Sequence, residues 1–471
     1  MPSFGTVIYT AVVLGFLGLL LPPPRPLPQF DQNEFFDKIQ QVSGSQHRDG
    51  SDGDGGRPAA ASSGQLTFAN RPPASSIPSY TQVFNGTGSG SRDRDASIGG
   101  EGYLTYKLVG NETYNVDACL DVCDSLPSCV FVNLFYEYNN NLLDFVFSEK
   151  SNLKCVAYST VHTAKDKTNF GGQQSVPLPA DKTYVQHSTG YAKTALWDPP
   201  LPEGYELVFG PEEGYIGDDG WLSTVLLDTY DVATCAVECT NLAPSTSNGV
   251  CQFFNINQVS VAGTAATTSC LLYSIPKSKS DLSSSTKDNT TFSYSRGYRR
   301  ITALPDGGFE SYQSCDPSSS FPSPPTSFCF TYSTPTWSCQ SSANGFDDCS
   351  IIHFSPYAHT GTTVSLLGSL TNTDNHFGTL SPSSPLNATT PGGVYHLGFW
   401  HYGAYSGPEL QKDAFVDVLW NFQPTMTVVP GYTPWLYFWT TVEARGDDFL
   451  LLVGGKAPAW SFVDDIVLYQ L

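Results

Sequence analysis

The pattern of apolar and polar positions predicts many short strands and two clear helices. In each helix, apolar residues recur at positions i, i+3, i+4 and i+7, which places them on one face. In the first helix these residues are Val116, Cys119, Leu120 and Cys123. In the second helix they are Val232, Cys235, Ala236 and Cys239. Asn115 and Asp231 directly precede the two stripes and suit the N-cap position, and Pro127 follows the first stripe.

Strand-like segments follow each helix and fill the last third of the chain. Residues 130–136 and 252–256 are predicted to be the strands that pack beside the two helices. Beyond Leu304, five apolar segments alternate with Gly, Pro, Asn and Asp turns: Val394–Tyr402, Phe415–Asn421, Trp435–Ala444, Phe449–Val453 and Ser461–Leu468. Short strands at this spacing are typical of a β-sandwich. The predicted fold class is therefore multidomain, with two small α+β modules followed by an all-β sandwich.

The two helix-containing regions are copies of one another. Five blocks recur in the same order, and each is anchored by a cysteine or an aromatic residue. The blocks of the first copy are 80–84, 114–119, 129–133, 155–159 and 188–191. The blocks of the second copy are 205–209, 230–235, 251–255, 270–274 and 295–298. Five ordered matches indicate two homologous modules, at 80–194 and 203–301.

The twelve cysteines fall into three groups of four. The groups are Cys119, Cys123, Cys129 and Cys155; Cys235, Cys239, Cys251 and Cys270; Cys315, Cys329, Cys339 and Cys349. Four per group suggests two disulfides per module in an oxidising compartment; zinc is the alternative, although no group has paired CxxC knuckles. Because CxxxC puts both thiols on one helix face, we expect each to bond to a neighbouring strand and not to the other.

Composition narrows the classes of partner. The formal net charge is −21, and charged residues make up only 14% of the chain. An acidic surface repels the phosphate backbone, so nucleic-acid binding is disfavoured. Acidity by itself selects no other partner.

The N-terminus is predicted to direct export. Val7–Leu21 is almost wholly apolar and precedes three prolines, which is typical of a signal peptide over residues 1–22. No Lys or Arg precedes the apolar run, and counted from Phe4 it approaches membrane-spanning length, so an uncleaved membrane anchor is the alternative. Residues 23–79, rich in Pro, Gly and Ser, are predicted to be a disordered linker. Four N-x-S/T acceptors agree with the secretory route: Asn85, Asn111, Asn289 and Asn387.

The helix with CxxxC, the following C-x-F-x-N strand and the C-x-x-Y-S strand together resemble the PAN/apple module. The resemblance covers roughly 80–194 and 203–301, and it lacks the outer disulfide of true apple domains. It implies the pairs Cys119–Cys155, Cys123–Cys129, Cys235–Cys270 and Cys239–Cys251. It also implies binding of proteins or glycans, without catalytic residues.

The region 302–471 resembles the jelly-roll carbohydrate-binding modules and their galactose-binding-like relatives. Four motifs carry this resemblance: 306–310 (DGGFE), 359–366 (HTGTTVSL), 393–400 (GVYHLGFW) and 415–421 (FVDVLWN). The closing stretch 435–468 is similar to that fold's last three strands. The whole arrangement also resembles secreted mushroom proteins that are named for expression in fruiting bodies.

The jelly-roll resemblance implies one cofactor, a structural calcium ion. In such modules a carboxylate of the opening motif meets one from the last strand, which selects Glu310, Asp464 and Asp465 as ligands. One of the two adjacent aspartates is predicted to point inward on an apolar strand, where an unpaired carboxylate is unfavourable. A hydrogen-bonded turn is the alternative. The scattered histidines are interpreted as structural or surface residues.

Aromatic residues concentrate in the same region and suggest a sugar-binding site. Sugars stack their C–H faces on aromatic rings, although most buried rings simply fill a core. Trp400 and Trp420 lie inside apolar strand patterns and are predicted to be core. Tyr402, Tyr405 and Trp435 lie at strand ends beside Gly or Pro and are the predicted ligand-binding residues.

No catalytic motif supports an enzyme. The chain contains no G-x-S-x-G, H-E-x-x-H, Walker or G-x-G-x-x-G sequence. The leading hypothesis is a secreted, non-catalytic recognition protein that binds carbohydrate of a cell wall or extracellular matrix. A structural or protein-interaction component without glycan binding is the alternative, with an extracellular protein as partner. A glycoside hydrolase with an unrecognised carboxylate pair is the third.

Overall fold

A computed structural model describes residues 79–471, except 91, 111–112, 127, 144–149, 175–178, 262–265, 288, 313–328, 341–347, 370–376, 405 and 456–458. The predicted signal peptide and nearly all of the predicted linker lie outside the described residues, as do Asn111, Cys315 and Tyr405. Within the described part, no helix is long and apolar enough to cross a bilayer.

The first repeat is a five-stranded antiparallel sheet with a helix packed against it. Its strands are β1 (Tyr80–Phe84), β2 (Ser97–Ile98), β3 (Tyr103–Leu108), β4 (Phe131–Tyr138), β5 (Ser151–Tyr158), β6 (Lys167–Asn169) and β7 (Tyr184–Lys193). Its helices are α1 (Val116–Asp124) and the short α2 (Thr194–Trp197). The sheet order is β1-β7-β4-β5-β3, and β2 pairs separately with β6. As predicted, Asn115 caps α1, because its side chain accepts a hydrogen bond from the N–H of Ala118.

The second repeat has the same plan. Its strands are β8 (Tyr205–Glu212), β9 (Trp221–Leu227), β10 (Phe253–Val261), β11 (Thr267–Tyr273), β12 (Thr286–Lys287) and β13 (Thr290–Arg300). The sheet order is β12-β13-β10-β11-β9, with β8 also paired to β13. Helix α3 (Val232–Asn241) begins after Asp231, which caps it through the N–H groups of Ala233 and Thr234. The predicted strands beside both helices are present as β4 and β10.

Each helix is joined to its module by two disulfides. Cys119–Cys155 and Cys235–Cys270 link the helices to β5 and β11. The second thiol of each helix pairs with a cysteine just before β4 or β10: these bonds are Cys123–Cys129 and Cys239–Cys251. These four pairs are the ones that the PAN/apple resemblance implies.

The repeat extends to buried polar contacts. Asn133 on β4 donates to Ser188 Oγ at 2.8 Å, and Asn255 on β10 donates to Ser295 Oγ at the same distance. Both amides also donate to the carbonyl of the next residue on that strand. An unpaired buried amide would be unfavourable, so these matching bonds explain why the strand motif ends in Asn.

Glycine recurs for a steric reason in the final block of each repeat. A Cβ on Gly190 would collide with the ring of Phe84, and a Cβ on Gly297 would collide with the ring of Phe209. In each repeat the aromatic residue of the first block therefore lies directly against the glycine of the last block. A larger residue in place of the glycine would displace the aromatic ring.

Residues 302–471 form the predicted β-sandwich. Its strands are β14 (Cys329–Thr331), β15 (Trp337–Gln340), β16 (Cys349–His353), β17 (Thr363–Ser369), β18 (Gly378–Pro382), β19 (Val394–Tyr402), β20 (Phe415–Trp420), β21 (Gln423–Val428), β22 (Leu436–Glu443), β23 (Leu450–Gly455) and β24 (Ala459–Gln470). One turn of helix, α4 (Pro408–Gln411), interrupts them. A disulfide joins Cys339 to Cys349, and Cys329 is also disulfide-bonded.

The strand order identifies the sandwich as a jelly roll. The larger sheet has the order β14-β16-β17-β24-β19-β22, and the smaller has the order β15-β18-β23-β20-β21. From β17 onward the chain alternates between sheets, apart from the β20–β21 hairpin. The result is β17-β24-β19-β22 packed on β18-β23-β20-β21, the two four-stranded sheets of a jelly roll. The predicted all-β sandwich is confirmed by this topology.

The core lies between these sheets and includes side chains from both, such as Phe399, Val418, Leu452 and Leu468. Trp420 belongs to this core, as predicted. Contacts divide the described residues into two compact units. One consists of residues 302–471 together with the segment Pro244–Val250, and the other contains the remainder of the two repeats.

Candidate functional site

A second aromatic layer lies on the outer face of the larger sheet, opposite the core. Successive side chains of a strand point to opposite faces, so β19 sends Tyr395, Leu397 and Phe399 into the core and Trp400 and Tyr402 to other clusters. We call this layer the aromatic face; its members are Trp400, Tyr402, Trp435, Tyr437, Trp439 and Phe462. The prediction that Trp400 fills the sandwich core is therefore wrong about its location. The ring is buried, but it lies on the outer face of the larger sheet.

Two of the predicted ligand-binding residues meet on this face. The ring centroids of Tyr402 and Trp435 lie 5.5 Å apart with an interplanar angle of 44°, and both side chains are half-buried. Tyr402 ends β19, and Trp435 directly precedes β22, so the sheet register brings two strand ends together. The third predicted residue, Tyr405, lies outside the described residues.

Further rings extend the face in both directions from this pair. On one side Tyr402 stacks on Phe462 at 6.0 Å, and Phe462 stacks on Tyr357 at 4.9 Å. On the other side Trp435 contacts His359 edge-on at 5.3 Å, and His359 stacks on Trp400 at 4.0 Å. Tyr402 and Trp435 are predictable from sequence because Gly and Pro flank them. Nothing in the sequence singles out Tyr357, because this residue lies in a loop far away in the chain.

Polar atoms are placed among these rings. Thr433 Oγ1 and Trp400 Nε1 are buried and have no hydrogen-bond partner among the described residues. Buried polar atoms in native proteins normally bond to protein, water or ligand, so each such atom needs an explanation. Burial, followed by the nearby Tyr432 hydroxyl, raises the pKa of Tyr402, which keeps its hydroxyl protonated and able to donate or accept a hydrogen bond. Aromatic rings with hydroxyl groups between them are the kind of surface that binds sugars.

The three predicted calcium ligands converge on the loop that carries His359. Glu310 accepts hydrogen bonds from the N–H groups of Thr362 and Thr363, at 2.7 and 2.9 Å. Asp464 accepts from the N–H of His359, and Asp465 contacts Nδ1 of the same imidazole, both at 2.7 Å. These bonds fix the imidazole where it stacks on Trp400 and touches Trp435.

The same acids bear on the predicted calcium ion. Burial and the neighbouring Asp465 carboxylate raise the pKa of Asp464 well above its ordinary value, with a smaller contribution from Glu310. Oxygen donors of this kind suit Ca²⁺. Among the described residues, however, no group of three or more His, Cys, Asp or Glu side chains is arranged to hold a metal ion. The hydrogen-bonded loop that was the alternative is present, and a calcium ion in addition to it stays a prediction.

Another buried acid, Asp448, lies away from the aromatic face. Asp448 accepts hydrogen bonds from Thr389, Asn421 and the N–H groups of Arg445 and Gly446. Burial acts to raise the pKa of Asp448, but these hydrogen bonds outweigh it and lower the pKa. The residue thus holds a loop at one end of the sandwich, a structural role.

The candidate glycosylation sites that the structure describes are accessible. Asn85, Asn289 and Asn387 are all exposed, as an acceptor asparagine must be.

No protein-family model matches the chain, and no curated protein sequence matches it. Among solved structures, TmCBM61 in complex with β-1,4-galactotriose has 19% identity, covers 36% of this chain and 99% of its own, and has a TM-score of 0.23. The C-terminal family 22 carbohydrate-binding module of Clostridium thermocellum Xyn10B has 8% identity, covers 29% of this chain and 88% of its own, and has a TM-score of 0.23.

An exo-β-1,3-galactanase from Phanerochaete chrysosporium with β-1,3-galactotriose has 15% identity, covers 30% of this chain and 29% of its own, and has a TM-score of 0.21. Because all three TM-scores are low, the assignment of a jelly roll rests on the strand topology given above.

Proposed function

We propose that the chain is a secreted, non-catalytic recognition protein whose jelly roll binds carbohydrate on the aromatic face. The observation that supports this most is the half-buried pair Tyr402 and Trp435, which lies outside the core. The nearby Thr433 hydroxyl has no hydrogen-bond partner among the described residues. An aromatic pair of this kind offers ring faces for sugar C–H groups, while the nearby hydroxyls can bond sugar hydroxyls.

The two repeats are proposed to be PAN/apple-like interaction modules. Support comes from the helix with CxxxC and from the four disulfide pairs, which match those of the resemblance. The disulfides also support export, because a protein with this many disulfides is typical of an oxidising compartment. Cell-wall association would follow if the glycan belongs to a wall.

Glycan binding is tested with the full chain on an array of plant and fungal polysaccharides, followed by titration calorimetry with a retained oligosaccharide. Tyr402→Ala and Trp435→Ala should each weaken binding by roughly tenfold, equivalent to about 1.4 kcal/mol. Tyr106→Ala is the matched control, because Tyr106 is exposed on β3 in the first repeat.

The array and the variants distinguish glycan binding from the two alternative functions. Retention that the two variants lose and the control keeps supports the proposal. No retention on any polysaccharide contradicts it and favours a structural or protein-interaction role. Release of sugar by the wild type, abolished by one carboxylate substitution, would instead identify a hydrolase.

A further inference from the structure

The segment Pro244–Val250, hereafter the 244–250 loop, belongs to the same compact unit as the sandwich. It lies inside the Cys239–Cys251 disulfide, whose sequence separation is 12, whereas the matching Cys123–Cys129 bond of the first repeat has a separation of 6. The second repeat therefore carries six extra residues at this point. The loop is internally braced, because Ser245 and Gly249 exchange two backbone hydrogen bonds of 3.0 and 2.9 Å.

The loop contacts the aromatic face at the β22 edge of the larger sheet. The N–H of Tyr437 donates to the carbonyl of Thr246 at 2.7 Å. Gly249 has a φ of +76°, and a Cβ added to it would lie 2.9 Å from Cζ2 of Trp400. Only a glycine thus suits both the backbone conformation and the close approach to the indole.

Val250 completes the contact. Its side chain is 3% exposed and packs in one cluster with Trp400, Tyr437, Val467 and Tyr469. Trp435 packs against this covered cluster and also against the cluster that contains Phe462 and Tyr402. Trp435 therefore stands where the covered part of the aromatic face meets the part with half-buried rings.

We propose that the 244–250 loop closes one end of the glycan site, so that the site binds the ends of glycan chains and not their interior. The inference rests on the proposed function. A polysaccharide that is bound through the interior of its chain needs a binding surface that continues in both directions. Here the row of rings continues past Trp435 toward Trp400 and Tyr437, but that continuation is occupied by His359, which stacks on Trp400, and by the loop. A sugar stacked on Tyr402 and Trp435 would meet the loop with its next unit.

A competition experiment with the full chain tests this proposal. The probe is whichever array polysaccharide is retained, offered as competitor either intact or after partial acid hydrolysis, at equal mass. If chain ends are bound, hydrolysis that multiplies the ends by about ten lowers the concentration for half-competition by roughly tenfold. If chain interiors are bound, hydrolysis leaves that concentration unchanged or raises it, which overturns the inference.

Loop variants supply the second arm. Gly249→Ala and Val250→Ser should lift the loop, since the first forces a strained backbone against Trp400 and the second removes apolar contact. Val237→Ser is the matched control, because Val237 is exposed on α3 of the same repeat. Tryptophan fluorescence should shift to the red in both loop variants and not in the control, which shows that Trp400 has been uncovered.

In the lifted variants the intact polysaccharide should bind at least roughly threefold more tightly, and the advantage of the hydrolysate should shrink. A red shift with an unchanged preference for ends would overturn the inference while leaving glycan binding intact. Failure of every form to bind any polysaccharide would instead overturn the proposed function, and the inference with it.

Discussion

His401 lies on β19 with both ring nitrogens buried and without a hydrogen-bond partner among the described residues. Burial lowers the pKa of this imidazole from 6.5 to about 3. Between those values the unfolded chain binds a proton that the folded chain does not bind. Above pH 6.5 the imidazole is neutral in both states, so the folded state keeps its full stability. As the pH falls from 6.5 toward 3, protonation of the unfolded chain progressively lowers the free energy of unfolding.

We expect the free energy of unfolding of the sandwich to fall below pH 6.5 by about 1.4 kcal/mol per pH unit from this group alone. His401→Leu should flatten this pH dependence. It should change the free energy of unfolding at pH 7.5 by less than it changes the difference between pH 7.5 and low pH. His187→Gln, at an exposed histidine, should leave the slope as it is. Urea titrations followed by tryptophan fluorescence at several pH values measure this; parallel curves for wild type and His401→Leu would contradict it.

The carboxylates Glu310, Asp464 and Asp465 allow a test of the predicted calcium ion. Because negative charge crowds the buried Asp464, calcium should raise the melting temperature, and EDTA should lower it. Magnesium at equal concentration is the ionic control, since it fits such sites poorly. Glu310→Gln should reduce the calcium effect, and Asp228→Asn, at an exposed acid, should not. An unchanged melting temperature in calcium and in EDTA would mean that hydrogen bonds alone hold the loop.

Some site residues could be predicted from their neighbours in sequence and others could not. Tyr402 and Trp435 can be identified from sequence because Gly403 follows the end of β19 and Pro434 precedes the start of β22, which is a local signal. Alternation along β19 indicates that Trp400 and Phe399 point to opposite faces, but not which face is covered. Trp400 is buried by His359 and by Val250, about 150 residues earlier, and no local pattern reports such contacts.

At the scale of elements, β13 holds the end of the first repeat through Arg296. This side chain is 2% exposed, and its guanidinium donates to the carbonyls of Leu196 and Trp197 at 2.6 and 3.0 Å. It also donates to the Tyr230 hydroxyl at 3.0 Å. The matching residue of the first repeat is Thr189, so this clamp is a difference between two otherwise similar strands.

Arg296→Met should lower the free energy of unfolding by about 3 kcal/mol, because the buried carbonyl of Leu196 and the part-buried carbonyl of Trp197 lose their charged donor. Arg296→Lys should restore little of this, since one ammonium cannot reproduce the planar fork. Arg299→Met is the control, as its pair with Glu206 is about half exposed, and it should change stability by under about 0.5 kcal/mol. Equal losses for Arg296→Met and Arg299→Met in urea unfolding would refute the clamp.

Helices and central strands were predictable where periodicity and burial agree. The stripes that begin at Val116 and Val232 gave α1 and α3, and alternation gave the last strands of the jelly roll apart from β21. Strand β21 (Gln423–Val428) was missed because its residues are mostly exposed and include Pro424. The short β14 to β16 have too few residues for alternation to be distinctive.

At the scale of the whole molecule, secretion has a direct test. Expressed in a eukaryotic host, the full chain should appear in the medium and lose mass on treatment with an N-glycosidase. Asn85→Gln, Asn289→Gln and Asn387→Gln should each remove one step of that mass, since all three asparagines are exposed. Retention inside the cell, or a mass unaffected by the enzyme, would contradict the proposed export.

Six additional residues between Cys239 and Cys251 make the two repeats unequal despite their matching helices, strands and disulfides. A chain whose turn between these cysteines was shortened to the spacing of the first repeat would keep both disulfides of the second repeat. It would lose the residues that lie against Trp400. The length of one turn thus determines how much of the aromatic face is accessible to solvent.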